Sequence, residues 1–188
     1  VLPFGCTEPH NLHLPYGTDT LEADAIGERA CAAAHDAGAK VMLLPTIPYG
    51  TTTNQRECAM SMNVSPSTLA LIVGDLVESL EGHGVTKLLL LNSHGGTDLK
   101  PILRELYDRT PVRLFLCDWF RMIGDVYDTI FDKPEDHAGE METSLALAFF
   151  PDLVDLAAAG DGATHPTRFD AVNKGWVSIC LLYTSDAA

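Results

Sequence analysis

The sequence predicts a single three-layer α/β/α domain with a largely parallel central sheet. Apolar segments of strand length alternate with helical segments along the chain, which is typical of α/β proteins. The apolar segments show no polar alternation, as expected for parallel strands that are covered on both faces. A chain of 188 residues without repeats or a linker is long enough for one domain with its own core.

The first third of the chain contains two predicted strands and one predicted helix. Residues 1–4 resemble the end of a strand. Residues 20–37 are rich in Ala and Glu and end at Gly38, which predicts a helix with a glycine stop. Residues 40–44 are predicted to form a short buried strand. The polar, Thr-rich stretch 48–63 lacks periodicity and is predicted to be a loop beside a functional site.

The rest of the chain continues the alternation. Ser65 and Pro66 predict the start of a helix whose apolar positions follow the i, i+3, i+4 pattern: Leu69, Ile72, Val73, Leu76, Val77 and Leu80. The next predicted elements are a strand at 87–91, a helix over 99–106, a strand at 112–117, and a helix that begins within 137–144.

Composition excludes several classes of protein. The net charge of −14 argues against nucleic acid and anionic membranes as partners. No apolar run reaches the ~18–20 residues of a membrane span, and no signal peptide is visible. The cysteines are odd in number and lack zinc-ribbon spacing, which favours reduced thiols and a cytoplasmic location: Cys6, Cys31, Cys58, Cys117 and Cys180.

The two ends of the chain are expected to be incomplete. Val1 stands where a full-length chain would carry Met, and the first strand is already under way. Residues 179–188 resemble a non-native tail. We therefore expect one domain over residues 1–178, truncated at both ends.

Four potential metal ligands lie within twelve residues after the first strand: Glu8, His10, His13 and Asp19. Carboxylate oxygens together with imidazole nitrogens suit Zn²⁺, Mn²⁺ or Fe²⁺ rather than Ca²⁺ or a thiolate site. A hydrogen-bonded surface loop is the alternative interpretation of this cluster alone.

Two later segments carry residues of the same kinds. His94 follows the Leu-rich strand, so it should reach the same edge of a parallel sheet as the first cluster. Taken singly, His94 could be structural, and His137 could pair with Asp136 at a helix start. Glu140 and Glu142 could simply favour a helix N-terminus. These structural explanations would all have to hold at once, so together they explain the residues less well than a shared functional site does.

Three segments in this order resemble the signatures of the creatininase family, over about residues 2–156. They are Leu2-Pro3-Phe4-Gly5-Cys6-Thr7-Glu8-Pro9-His10 with His13-Leu14-Pro15-Tyr16-Gly17-Thr18-Asp19, Asn92-Ser93-His94-Gly95-Gly96, and His137-Ala138-Gly139-Glu140-Met141-Glu142-Thr143-Ser144. The resemblance implies an α/β fold that holds two divalent metal ions (Zn, Mn or Fe), bridged by a carboxylate and by water or hydroxide. It also implies a homo-oligomer, a hexamer by analogy.

The resemblance assigns roles by position. Glu8 and His94 match ligands of one metal, His10 matches a ligand of the other, and Asp19 matches the bridge. His137 matches the catalytic histidine, which donates and accepts the proton.

One position departs from creatininase itself. The glutamate ligand two residues after the middle histidine is replaced here by Gly96. Glu142 is the expected substitute, as a further ligand and catalytic residue, and Glu140 is its rival. Creatinine is therefore a doubtful substrate, and the middle motif is nearer to relatives that act on formamides or trim modified peptides.

The predicted activity is hydrolysis of a small or cyclic amide C–N bond by a metal-activated hydroxide. The alternatives are a metal-dependent peptidase and a family member that binds metal or a partner without turnover. A serine hydrolase is disfavoured because Ser93 lacks the GxSxG elbow. A thiol nucleophile is disfavoured because Cys6 lies beside carboxylates and has no positioned base.

Overall fold

Three parallel strands form the sheet in this computed structural model, which describes residues 1–133, 137–160, 168–174 and 176–177. The strand order is β1 (Leu2–Phe4), β2 (Lys87–Asn92) and β3 (Arg113–Asp118). Leu2 pairs with Leu90 across β1 and β2, and Leu90 pairs with Leu116 across β2 and β3. The carboxyl ends of all three strands therefore lie at one edge, as predicted.

Helices connect and cover the strands close to the predicted positions. They are α1 (Thr18–Asp36), α2 (Pro66–Gly82), α3 (Lys100–Leu106), α4 (Tyr127–Ile130), α5 (Glu140–Phe149) and α6 (Asp170–Asn173). Short 3₁₀ turns occur at Thr53–Gln55, Trp119–Arg121, Pro151–Leu153 and Leu156–Ala158.

The side chains of β2 alternate between two helical layers. Leu88 and Leu90 belong to a buried cluster that includes Leu69, Val73 and Val77 of α2. Leu91, on the opposite face, belongs to a cluster with residues of α1 and α5, among them Ile26, Met141 and Leu145. Helices thus cover both faces of a parallel sheet, which confirms the predicted three-layer α/β/α class.

The predicted strand at residues 40–44 does not form, although the segment runs beside β1. The Leu44 N–H donates to the Val1 carbonyl at 2.9 Å, and the Val1 amino group donates to the Met42 carbonyl at 2.7 Å. Just beyond the segment, Ile47 forms a parallel bridge with Phe4. The register of that bridge would require hydrogen bonds from the nitrogen atoms of Pro45 and Pro3. Proline has no N–H, so a regular ladder cannot extend here.

Some sequence-based expectations fall on residues outside the described part of the chain. These are the pairing of Asp136 with His137 and the tail at 179–188. The domain boundary at 178 stays a prediction. Among the described residues, no helix combines the length and apolar character needed to cross a membrane.

Candidate metal centre

The loop after β1 brings three potential ligands to the carboxyl edge of the sheet. Glu8 and His10 alternate with Thr7 and Pro9 in the sequence, and donor atoms of both side chains lie within 4.8 Å of each other. The loop then folds back, with the Glu8 N–H donating to the Tyr16 carbonyl at 3.1 Å. Asp19 follows in the first turn of α1. The side chains of Glu8, His10 and Asp19 are buried, each 1% exposed or less.

Asp19 lies between two histidines. Its Oδ1 is 3.3 Å from Nε2 of His10, and its Oδ2 is 3.3 Å from Nδ1 of His94. His94 comes from the end of β2, and its Nδ1 is also 2.9 Å from Oε1 of Glu8. The two oxygens of one carboxylate therefore face two different imidazoles, which is the arrangement expected of a bridging carboxylate between two cations.

Each of three histidines has one ring nitrogen next to a backbone carbonyl. Nδ1 of His10 lies 3.0 Å from the backbone carbonyl oxygen of Glu8, and Nε2 of His94 lies 3.1 Å from that of Thr51. Nε2 of His137 lies 2.6 Å from the Pro9 oxygen. When these nitrogens donate their hydrogens, the opposite nitrogen of each ring is left with a lone pair. Such bonds are the usual support of metal-binding histidines.

The third motif places Glu142, rather than Glu140, next to the first. The carboxylate of Glu142 lies within 4.8 Å of donor atoms of His10 and Asp19. Its Oε2 accepts a hydrogen bond from the N–H of Ala138, which lies two residues before α5. Glu140 is exposed, and its Oε2 accepts the Asp132 N–H at 2.8 Å. Of the two glutamates weighed from the sequence, geometry favours Glu142.

His137 lies at the edge of the cluster, with a ring nitrogen within 4.8 Å of donor atoms of Glu8 and His10. Its ring is 4.4 Å from the His10 ring between centroids, and its Nδ1 is 3.8 Å from Oε1 of Glu8. The side chain is mostly buried, at 12% exposure, and lines the adjacent cavity. This position suits proton transfer at Nδ1, because Nε2 is engaged by the Pro9 carbonyl.

Close carboxylates and imidazoles shift one another's ionisation. Burial alone lowers the pKa of His10, but the charge and hydrogen bond of Asp19, with Glu142 and Glu8, raise it to about 10. Burial also opposes the charged form of His94, whose pKa is nevertheless raised well above its usual value by Asp19, Cys6 and Glu8. The pKa of Asp19 is lowered by His10 and His94 despite its burial. The cluster therefore attracts positive charge strongly.

Orphaned oxygen atoms test whether the cluster fits a metal. Within the described residues, both carboxylate oxygens of Glu8 and Oδ2 of Asp19 are buried and accept no aligned hydrogen bond. Leaving buried carboxylate oxygens without donors is costly, and a bound cation would remove that cost. The donor set of carboxylate oxygens and imidazole nitrogens matches Zn²⁺, Mn²⁺ or Fe²⁺.

Gly96 is required by the position of His94. A Cβ atom at Gly96 would lie 2.6 Å from Nε2 of His94 and 3.0 Å from the Thr51 oxygen. A glutamate therefore cannot occupy this position while His94 keeps its hydrogen bond to Thr51. A longer side chain at position 96 has no room in this arrangement.

A cavity of about 410 Å³ opens beside the cluster, a size that suits a small ligand. Its polar wall includes Glu8, His94, His137 and Glu142, and its apolar wall consists of Trp119, Phe120 and Met141. The Trp119 indole is fixed by a hydrogen bond from Nε1 to Ser93 Oγ at 2.8 Å. Sequence analysis did not single out Asn54 and Gln55, which also line the cavity, because they come from the aperiodic loop.

The creatininase family model, described as creatinine amidohydrolase, matches residues 1–181. The chain belongs to the creatininase family. The family predicted from the three motifs is thereby confirmed. A creatinine amidohydrolase of Pseudomonas putida is 32% identical in an alignment that covers 88% of this chain and 68% of that protein. A mycofactocin precursor peptide peptidase of Mycobacterium ulcerans (strain Agy99) is 27% identical, covering 95% of this chain and 70% of the relative.

Solved structures of creatininase-family proteins share the fold. A candidate creatinine amidohydrolase of Bacteroides fragilis NCTC 9343 superposes with a TM-score of 0.86 at 37% identity, over 95% of this chain and 71% of the other. A glutamate-to-glutamine mutant of creatininase, of Zn–Zn type, superposes with a TM-score of 0.73 at 25% identity, over 99% of this chain and 79% of the other. Members of the family thus include metal-containing enzymes and hydrolases of amide C–N bonds.

Proposed function

We propose that this chain is a metal-dependent amidohydrolase that cleaves a small or cyclic amide C–N bond. The observation that carries the proposal is the Asp19 carboxylate held between His10 and His94, each of which has its other nitrogen next to a backbone carbonyl. That arrangement leaves lone pairs directed at two adjacent positions, as a pair of divalent cations requires.

The proposed ligands divide into two sets that share Asp19. Glu8 and His94 would hold one ion, and His10 and Glu142 would hold the other. Support for the second set is the proximity of Glu142 to His10 and Asp19. Glu142 thus supplies the carboxylate that creatininase takes from the position of Gly96. The chemistry of the donors allows Zn²⁺, Mn²⁺ or Fe²⁺.

The reaction combines the bound ions with groups of this chain. When bound, such ions supply hydroxide near neutral pH and polarise an amide carbonyl oxygen. His137 accepts at Nδ1 the proton that the attacking water loses and delivers it to the leaving nitrogen as the C–N bond breaks, while its Nε2 stays bonded to the Pro9 carbonyl. Trp119 and Phe120 exclude water from one side of the cavity and give an apolar surface for the substrate.

A metal-dependent peptidase is the second candidate function. The observation that favours it is Gly96, because the middle motif thereby differs from that of creatininase itself. The similarity to a mycofactocin precursor peptide peptidase over 95% of this chain agrees with this alternative. Both candidates share the metal centre and differ only in the substrate, so a panel of cyclic amides, formamides and short peptides separates them.

Metal content per chain tests the proposal directly. We expect about two equivalents of a divalent metal in the purified protein and a large loss in Asp19→Ala, measured by elemental analysis. Glu28→Ala is the matched control, since Glu28 is an exposed carboxylate on the same helix. Circular dichroism establishes that each variant is folded. A folded wild-type protein without stoichiometric metal would contradict the proposed metal-dependent mechanism.

A further inference from the structure

Cys6 lies within the metal cluster. Its Sγ, together with one donor atom each from Glu8, Asp19 and His94, forms a group whose members all lie within 4.8 Å of one another. Donors that bind one ion at about 2.0–2.3 Å must lie within about 4.6 Å of one another. Cys6 is fully buried. The thiol thus lies close to the separation needed for shared coordination.

The second observation is the state of the neighbouring carboxylates. Both oxygens of Glu8 and Oδ2 of Asp19 are buried and, within the described residues, accept no aligned hydrogen bond. Nε2 of His94 lies 3.1 Å from the Thr51 carbonyl, so Nδ1 faces the cluster. The sulfur therefore lies among several oxygen and nitrogen acceptors. Such a group of acceptors suits a bound cation, whereas a thiol that serves only for packing would be surrounded by apolar side chains.

Backbone constraints hold the sulfur at this point. Cys6 alternates with Glu8 along the loop, whereas Thr7 between them turns away and donates from Oγ1 to the Pro48 carbonyl at 2.9 Å. Gly50 closes the opposite side: a Cβ there would lie 3.3 Å from Sγ of Cys6 and 3.0 Å from Cδ2 of His94. A glycine is needed for the second loop to approach this closely.

We propose that the Cys6 thiolate is an additional ligand of the ion bound by Glu8, Asp19 and His94. This inference rests on the proposed metal centre and adds a sulfur donor to it. As the sulfur–metal bond forms, the thiol proton is released to solvent. The carboxylates and histidines of the sequence cluster favour a site without thiolate, whereas here one cysteine joins the oxygen and nitrogen donors.

The added sulfur changes which metal is preferred. Thiolate is a soft donor that favours Zn²⁺, Co²⁺ and Cd²⁺ over Mn²⁺ and Mg²⁺. We therefore expect the wild-type centre to select Zn²⁺ over Mn²⁺ in direct competition. Cys6→Ser should lower that selectivity by roughly tenfold or more, on the scale at which supporting contacts affect metal affinity.

Cobalt spectroscopy tests the sulfur ligand without measuring activity. The metal-stripped full chain is loaded with Co²⁺, and a near-ultraviolet thiolate-to-cobalt charge-transfer band is expected in the wild type. The band should persist in Cys58→Ser, a matched control at another free cysteine, and disappear in Cys6→Ser. Bound cobalt is quantified in each sample.

The outcomes separate this inference from the proposed function. Two bound Co²⁺ ions without the band, or a band that persists in Cys6→Ser, would overturn the sulfur ligand and leave the hydrolase intact. A wild-type protein that binds no metal overturns both. If Cys6→Ser does not fold, X-ray absorption of the zinc-loaded wild type decides, since a sulfur ligand gives a Zn–S distance of about 2.3 Å.

Discussion

Asp19 shows how much of the candidate centre depends on the placement of one side chain. It stands in the first turn of α1, where a carboxylate is favoured by the helix dipole. Because this turn directly follows the loop that carries Glu8 and His10, these ligands can be predicted from a short stretch of sequence. The approach of His94 depends on the parallel pairing of β1 with β2, and the sequence predicted that pairing only through the fold class.

Gly96→Ala is expected to weaken metal binding without unfolding the protein. The added Cβ would lie 2.6 Å from Nε2 of His94, so the ring must turn away from Thr51 and carry Nδ1 out of the cluster. The expected loss of metal affinity is about tenfold or more. Competition against a chelating indicator measures it.

Gly95→Ala is the matched control, since a Cβ at Gly95 meets nothing within 4 Å. Equal affinity in the two variants would contradict the proposed dependence of His94 on the empty space at Gly96.

At the scale of elements, periodicity predicted helices better than short strands. The apolar pattern of α2 predicted four positions that are buried: Leu69, Val73, Val77 and Leu80. Ile72 belongs to the same pattern but is 36% exposed, because a helix buries only the stripe that faces the sheet. The strand predicted at 40–44 failed for a different reason: its ladder required N–H groups that Pro3 and Pro45 lack.

The aperiodic loop at 48–63 shows what pattern analysis could not supply. It was expected to lie beside a functional site, and Asn54 and Gln55 line the cavity. Thr51 supports His94 through its carbonyl oxygen. These roles arise from backbone atoms and tertiary packing, so residue type alone gives no signal for them.

Helix α5 provides a direct comparison between two nearby glutamates. Glu142→Gln should lose about one equivalent of metal, because a neutral amide replaces a charged ligand close to His10 and Asp19. Glu140→Gln should retain both equivalents, since its exposed carboxylate accepts only the Asp132 N–H in the described contacts. Elemental analysis of both variants measures the difference. The reverse result would assign the ligand to Glu140.

At the scale of the whole molecule, the candidate centre joins segments that are distant in sequence. The loop after β1, the start of α1, the end of β2 and the region at the start of α5 each contribute at least one donor. These four segments are held next to one another by the short sheet and by the helices that pack on it. Cations that bind donors from all four segments would therefore act as cross-links within the fold, and their removal should affect global stability.

Removal of metal is accordingly expected to lower the thermal stability of the wild-type protein. A ligand that binds only the folded state at about 100 times its Kd stabilises that state by about 2.7 kcal/mol. For a chain of this size, each kcal/mol corresponds to roughly 2–4 °C, so chelation should lower Tm by about 5–10 °C. Differential scanning calorimetry with and without Zn²⁺ measures the shift. Asp19→Ala should show a much smaller metal-dependent shift, because it lacks the carboxylate that both ions share. An identical Tm for the chelated and zinc-loaded wild type would mean that the ions are not bound by the folded state as proposed.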